Sequence, residues 1–127
     1  MPVLAERPRV GSAQGAVLTK AVLSAAEKLD VRQGALATIL GVSEATASRM
    51  KKGDYVLHAG SKAFELGVLF VRLFRSLDAI VGGDEPAARA WLANPNLALG
   101  AKPAEKIRTV AGLTEVIAYL DARRNLV

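Results

Sequence analysis

The sequence predicts an all-α protein: an N-terminal helix-turn-helix domain, a long central helix and a small helical C-terminal domain. Three observations carry this. Two short helical patterns meet at a glycine within QGALATILGVSEATASRM, Gln33–Met50. The stretch Ser61–Val81 is apolar at most helical positions, between a serine suited to cap it and the stop pair Gly82–Gly83. Downstream segments open on helix starters, Asp84 and Pro103, and no run alternates apolar and polar residues as a half-buried strand would.

Taken in order, residues 1–14 hold prolines, glycine and mixed charges and read as a flexible arm. A first helix is expected from about Gly15 to Leu29, with its stripe at Val17, Leu18, Ala21, Val22, Ala25 and Leu29. In the next pair, Leu36, Ala37 and Leu40 mark the inner face of one helix, and Gly41 stops it in the left-handed conformation open to glycine. Ser43 caps the second helix, whose inner face continues at Ala47 and Met50. Small Ala37 and Ala47 let the two helices cross closely. The DNA-binding domain is therefore placed at 15–60, with Asp54–Gly60 as a connector.

The central helix, within 61–83, has more apolar residues than one small core can take: Phe64, Leu66, Val68, Leu69, Phe70, Val71, Leu73, Phe74, Leu77 and Ile80. Lys62, Glu65, Arg72 and Ser76 leave a narrow wet stripe. Such a helix is buried on several sides. The sequence leaves two readings open, a homodimer interface and a core helix wrapped by its neighbours. The final unit, 84–127, starts at the Asp84 cap with Pro86 in the first turn, runs through EPAARAWL to the loop NPNLALGAK, and resumes at Pro103. Gly112 is expected to break the helix PAEKIRTV, and Thr114–Arg123 to form the last one, with Val116, Ile117 and Leu120 inward.

In a helix-turn-helix the second helix enters the DNA major groove. Here its outward residues are Ser43, Glu44, Thr46, Arg49, Lys51 and Lys52, a polar and net basic face. Arginine can grip guanine with two hydrogen bonds, and hydroxyls reach base edges or phosphates. Gln33 opens the preceding helix, where a side-chain amide and a helix N-terminus can meet a phosphate. The candidate DNA-binding residues are thus Gln33, Ser43, Glu44, Thr46, Arg49 and Lys52. Net charge of +5 over 127 residues agrees with an anionic partner. The excess is spread evenly, with eight Lys/Arg against five acids in residues 1–60 and nine against seven in 61–127.

Other classes find little support. The chain has no cysteine, which excludes disulfides and thiolate metal sites. The longest apolar run, Leu66–Val71, is too short to span a bilayer, and the N-terminus does not read as a signal peptide. A cytoplasmic location is expected. Its one histidine, His58, lies in the connector without a ligand or nucleophile at useful spacing. Asp84 and Glu85 are adjacent, but cap and first-turn roles account for both. Trp91 is expected to anchor the core. No catalytic, metal or cofactor site is expected.

The string WLANPNLALGAKPAEKI, Trp91–Ile107, resembles the C-terminal domain of the Xre/MbcA/ParS antitoxin family, ParS-like members included. A Trp-Leu pair, an Asn-Pro-Asn loop, Leu-Gly and a helix-opening proline are all present. GLTEVIAYLDAR, Gly112–Arg123, resembles the family's last helix, and the likeness extends over roughly residues 15–127. The resemblance implies an antitoxin, not an enzyme. Its partner would be a RES-domain toxin that consumes NAD or transfers ADP-ribose, its C-terminal domain would cover the toxin's active site, and its helix-turn-helix would repress the shared operon. The loop residues Asn94, Pro95, Asn96, Leu99, Gly100, Lys102 and Pro103 would then contact the toxin. Prolines reduce the entropy lost on docking, and Lys102 would place a cation where nucleotide phosphates otherwise sit. The alternative is a dimeric helix-turn-helix transcriptional regulator that senses a small ligand. That reading needs a pocket with convergent polar groups, for which the short C-terminal unit has little room.

Overall fold

The computed structural model describes residues 9–125. Seven helices follow one another among them: α1 (Arg9–Leu29), α2 (Gln33–Leu40), α3 (Glu44–Lys52), α4 (Lys62–Ile80), α5 (Glu85–Ala93), α6 (Pro103–Lys106) and α7 (Val110–Arg124). The described residues contain no strand, only an isolated bridge between Asn96 and Ala101.

Helix α1 starts earlier than its apolar stripe suggests. It begins at Arg9, and residues 9–14, assigned to the arm, are helical. Residues 1–8 of that arm lie outside the described residues. No proline follows Pro8 until Pro86, so nothing after it forbids a helix, and buried Gly15 lets α1 approach the Leu57 carbonyl oxygen, which a Cβ there would meet at 2.0 Å. Helix α2 stops at Gly41, whose φ of 71° lies in the left-handed region. There the Val42 N–H returns to the Ala37 carbonyl at 3.0 Å, so the turn into α3 satisfies its own carbonyls. Ser43 caps α3 by accepting the Thr46 N–H at 3.0 Å, and Ser61 caps α4 by accepting the Phe64 N–H at 3.1 Å. The connector between them is pinned. Leu57 is fully buried and its N–H donates to the buried Thr19 hydroxyl at 2.9 Å.

The long helix is the centre of the molecule. Helix α4 packs against α1 and α2 on one side and α7 on the other. Phe70, Leu73 and Leu77 have no exposure at all, Phe64, Leu66, Leu69 and Phe74 pack on the core from its edge, and Val68 and Ile80 are exposed. Most of the apolar surplus is therefore used inside this chain. Phe70 belongs to the core, so charging it disrupts folding rather than an interface. A single cluster runs from Val22, Leu29 and Leu40 through Phe70 and Leu77 to Leu92, Ile107, Val116 and Leu120. Helix α5 also reaches across: the Arg89 guanidinium donates to the Lys28 carbonyl in the last turn of α1 at 3.2 Å.

Gly112 does not break a helix. It lies in the first turn of α7, after the Thr109 cap, and it is buried. A Cβ there would lie 1.9 Å from the Lys106 carbonyl oxygen and 2.7 Å from its carbon. The glycine lets the start of α7 press on the end of α6, and an ion pair between Lys106 and Glu115 at 2.8 Å spans the same corner. The obstacle is backbone and cannot rotate away. Gly112→Ala should therefore destabilise the fold by about 1–3 kcal/mol, lowering the thermal midpoint by roughly 5–15 °C. An unshifted midpoint in a calorimetric scan would remove the close approach as a constraint.

One polar group joins α4 to α7. The Asp121 carboxylate accepts from the Ser76 hydroxyl at 2.8 Å and from the Arg72 guanidinium, while Arg124 donates to the Ser76 oxygen at 3.3 Å. The Ser76 hydrogen bond, then Arg72 and the charge of Arg124, hold the carboxyl below its ordinary range against the opposing effect of burial. A depressed folded pKa means that the stabilisation is complete above the unfolded value, about 3.9, and is lost as pH falls through the lower folded one. Asp121→Asn should lower the melting midpoint at neutral pH and reduce its fall below about pH 4. Equal acid sensitivity in both proteins would show that other carboxylates govern it.

Candidate nucleic-acid and partner interfaces

The outer face of α3 follows from which residues point inward. Ala47 and Met50 are buried against the core. At 3.6 residues per turn the opposite face is then Ala45, Ser48, Arg49 and Lys52. Ala45, Arg49 and Lys52 are exposed and Ser48 is half-buried. Ser43, Glu44 and Lys51 are exposed at its flanks and Thr46 is half-buried. Gln33, the first residue of α2, is half-buried and shares a concavity with Lys20 and Lys51. Five of the six expected DNA-contacting residues thus lie on or beside one short helix, with Gln33 nearby. Ala45 and Ser48 are not among the residues the sequence singles out; helical phase places them on the outward face.

This face is tied together before any ligand arrives. Ser43 donates to the Thr46 hydroxyl at 3.0 Å, and the Arg49 guanidinium donates to the same oxygen at 3.1 Å. The guanidinium also lies 5.9 Å from the centre of the Tyr55 ring. The cap of α3 therefore helps to orient the arginine. His58 is exposed and meets Tyr55 edge-on.

The second site is the loop between α5 and α6. Its backbone closes on itself: Asn96 N–H to Ala101 O at 3.1 Å, and Gly100 N–H to Asn96 O at 2.8 Å. The Asn96 side-chain oxygen accepts the Leu99 N–H at 3.1 Å, and the Asn94 amide donates to the Ala90 carbonyl at 2.7 Å. Both asparagines thus have polar atoms engaged in building the loop. Leu99 and Pro103 are buried and plug it into the core, so neither presents a side chain outward as expected. Pro95, Gly100 and Lys102 are exposed. The residue missed is Leu97, which is fully exposed at 102%. Leu97 and Leu99 are two apart across a turn, and only the turn's geometry decides which goes in. Trp91 is half-buried rather than a deep anchor, stacked on Tyr119 with ring centres 6.2 Å apart.

Between the two halves runs an open cleft of about 580 Å³, with Arg32, Arg89 and Arg108 on its walls and Leu29 and Ile107 among its apolar lining. Among the described residues no group of three or more His, Cys, Asp or Glu side chains is placed to hold a metal, and no helix is long and apolar enough to cross a membrane.

Two family models match the chain. The helix-turn-helix domain of Xre-like antitoxins matches residues 8–72, and the C-terminal toxin-binding domain of Xre/MbcA/ParS antitoxins matches residues 76–125. The chain belongs to the Xre/MbcA/ParS family of antitoxins. A search among curated proteins finds no match. In this antitoxin the two matches meet inside α4, between Arg72 and Ser76, the two residues on that helix that hold Asp121.

The face of α3 yields a direct test. Arg49→Ala should weaken binding to a DNA site selected by the wild-type protein by about 1–3 kcal/mol if the guanidinium reads a base, or uniformly across sequences with a salt slope smaller by about one if it holds a phosphate. Ala45→Glu places a carboxylate toward the DNA backbone and should abolish binding without lowering the melting midpoint. Mobility shifts unchanged for both variants would take α3 out of the interface.

Proposed function

We propose that this antitoxin neutralises a RES-domain toxin that consumes NAD or transfers its ADP-ribose, by covering the toxin's active site with its C-terminal part, and that it represses its own operon through α3. The observation that supports the pairing of roles is the presence of both family domains on one chain with separate outward faces, α3 in one half and the α5–α6 loop in the other. The proposed functional division is DNA contact within 15–60, a shared helix at 61–83 and toxin contact within 84–127. Lys102, exposed where the loop enters α6, is the proposed cation for the space that nucleotide phosphates occupy. The proposed operator-binding species is a homodimer, because two-fold operators are read by two-fold proteins. Val17 and Val68, both exposed on the α1–α4 face beside Arg72, Arg75 and Arg124, mark the proposed contact. Such a protein acts in the cytoplasm, where operator and NAD are both present.

The test is NAD turnover by the toxin encoded beside this antitoxin, with and without the full-length chain. Stoichiometric suppression of turnover is expected, and Lys102→Ala should weaken it. Should no excess of antitoxin slow the toxin, the reading fails, and regulation by a small ligand bound in the arginine-walled cleft becomes the better account.

A further inference from the structure

A solvent-exposed leucine is ordinarily uninformative, because folded proteins expose apolar atoms throughout their surfaces. Leu97 differs in how it is held. Its side chain touches nothing of its own chain, yet the backbone on both sides is fixed. Asn96 makes three hydrogen bonds, to Ala101, Gly100 and Leu99, and buried Leu99 and Pro103 fasten the loop to the core. A connector between α5 and α6 needs only to turn. This one also holds the backbone of a large apolar residue in place with its side chain in water.

The surroundings narrow what it meets. No charged residue occurs between Arg89 and Lys102. A nucleic-acid contact would carry cations for phosphates, and a membrane contact would carry more than one apolar side chain with basic neighbours. An uncharged tip suits a recess from which water is expelled, since nothing charged has to be desolvated on entry. Ordering costs are also small, because the loop is already closed and Pro95 restricts it.

We propose that Leu97 is the anchor residue of the toxin interface: it enters an uncharged, aliphatic or aromatic recess on the toxin, while the Asn96–Ala101 ring of hydrogen bonds sets its direction. This rests on the toxin-neutralising reading, and on the loop's position within the residues matched by the toxin-binding domain, 76–125. Leu99, which faces the core, supports the loop rather than the contact.

The experiment titrates full-length antitoxin and its variants Leu97→Ala and Leu97→Asp into the protein encoded by the adjoining reading frame, by calorimetry. Losing the isopropyl end of the side chain should raise Kd about tenfold to a hundredfold in the alanine variant. The aspartate variant should show no measurable binding, because its charge would be stranded in the recess. Melting midpoint, binding to the antitoxin's own upstream DNA and sedimentation of the free antitoxin should be the same for all three. Wild-type affinity in both variants overturns the anchor while leaving the toxin reading intact. A change in sedimentation with toxin affinity retained overturns it in favour of contact between copies of this chain. If the wild-type protein itself does not bind, the toxin reading falls and the anchor with it.

Discussion

Everything in this molecule leans on the burial of one face of α4. Phe70, Leu73 and Leu77 are withdrawn from water completely, and they are covered from both directions, by α1 and α2 on one side and α7 on the other. Neither half closes a core without that helix. The matched domains divide the chain between residues 72 and 76, but the physical boundary is not there. Arg72 and Ser76 flank the division and both bond to the same carboxylate, Asp121. A charge-assisted contact between α4 and α7 thus sits where the family domains meet. It is local and directional, whereas the apolar contact around it is broad, so the two together fix the angle between α4 and α7.

Helical layout was readable because it is written in short-range chemistry. Ser43, Gly41, Ser61 and Asp84 are capping residues whose action depends on positions three or four residues away, ahead of the N-caps and behind Gly41, and each acts as its type suggests. What the sequence concealed depends on the path the chain takes through its turns rather than on residue type. Gly112 looks like a helix breaker until the end of α6 is seen pressed against it. Leu97 and Leu99 have the same side chain, and only the Asn96-centred turn separates a buried residue from an exposed one. Asn94 and Asn96 looked like free donors and acceptors; the loop uses them itself. The apolar surplus of α4 was visible, but whether it met another copy or its own chain depended on how α1 and α7 fold back.

The two candidate interfaces are built on different principles. The α3 face presents polar side chains linked by hydrogen bonds on a helix fixed by Ala47 and Met50, which suits a partner carrying dense negative charge. The α5–α6 loop is uncharged from Asn94 to Ala101, with Lys102 only at its end, and is shaped by its backbone. A single substitution on one face has no reason to disturb the other, since no side chain belongs to both. Specificity for DNA and for a partner protein can therefore drift independently, although stability cannot, because the core beneath is common.

The common core has a consequence for turnover of the protein in a cell. A single hydrophobic cluster with no internal seam opens as a unit, and the open chain is what a protease can cut. A partly digested form in which the DNA-binding helices persist after the loop domain has gone is therefore not expected. Removal by proteolysis would end DNA binding and toxin binding in the same event, so the level of this one chain would set both together.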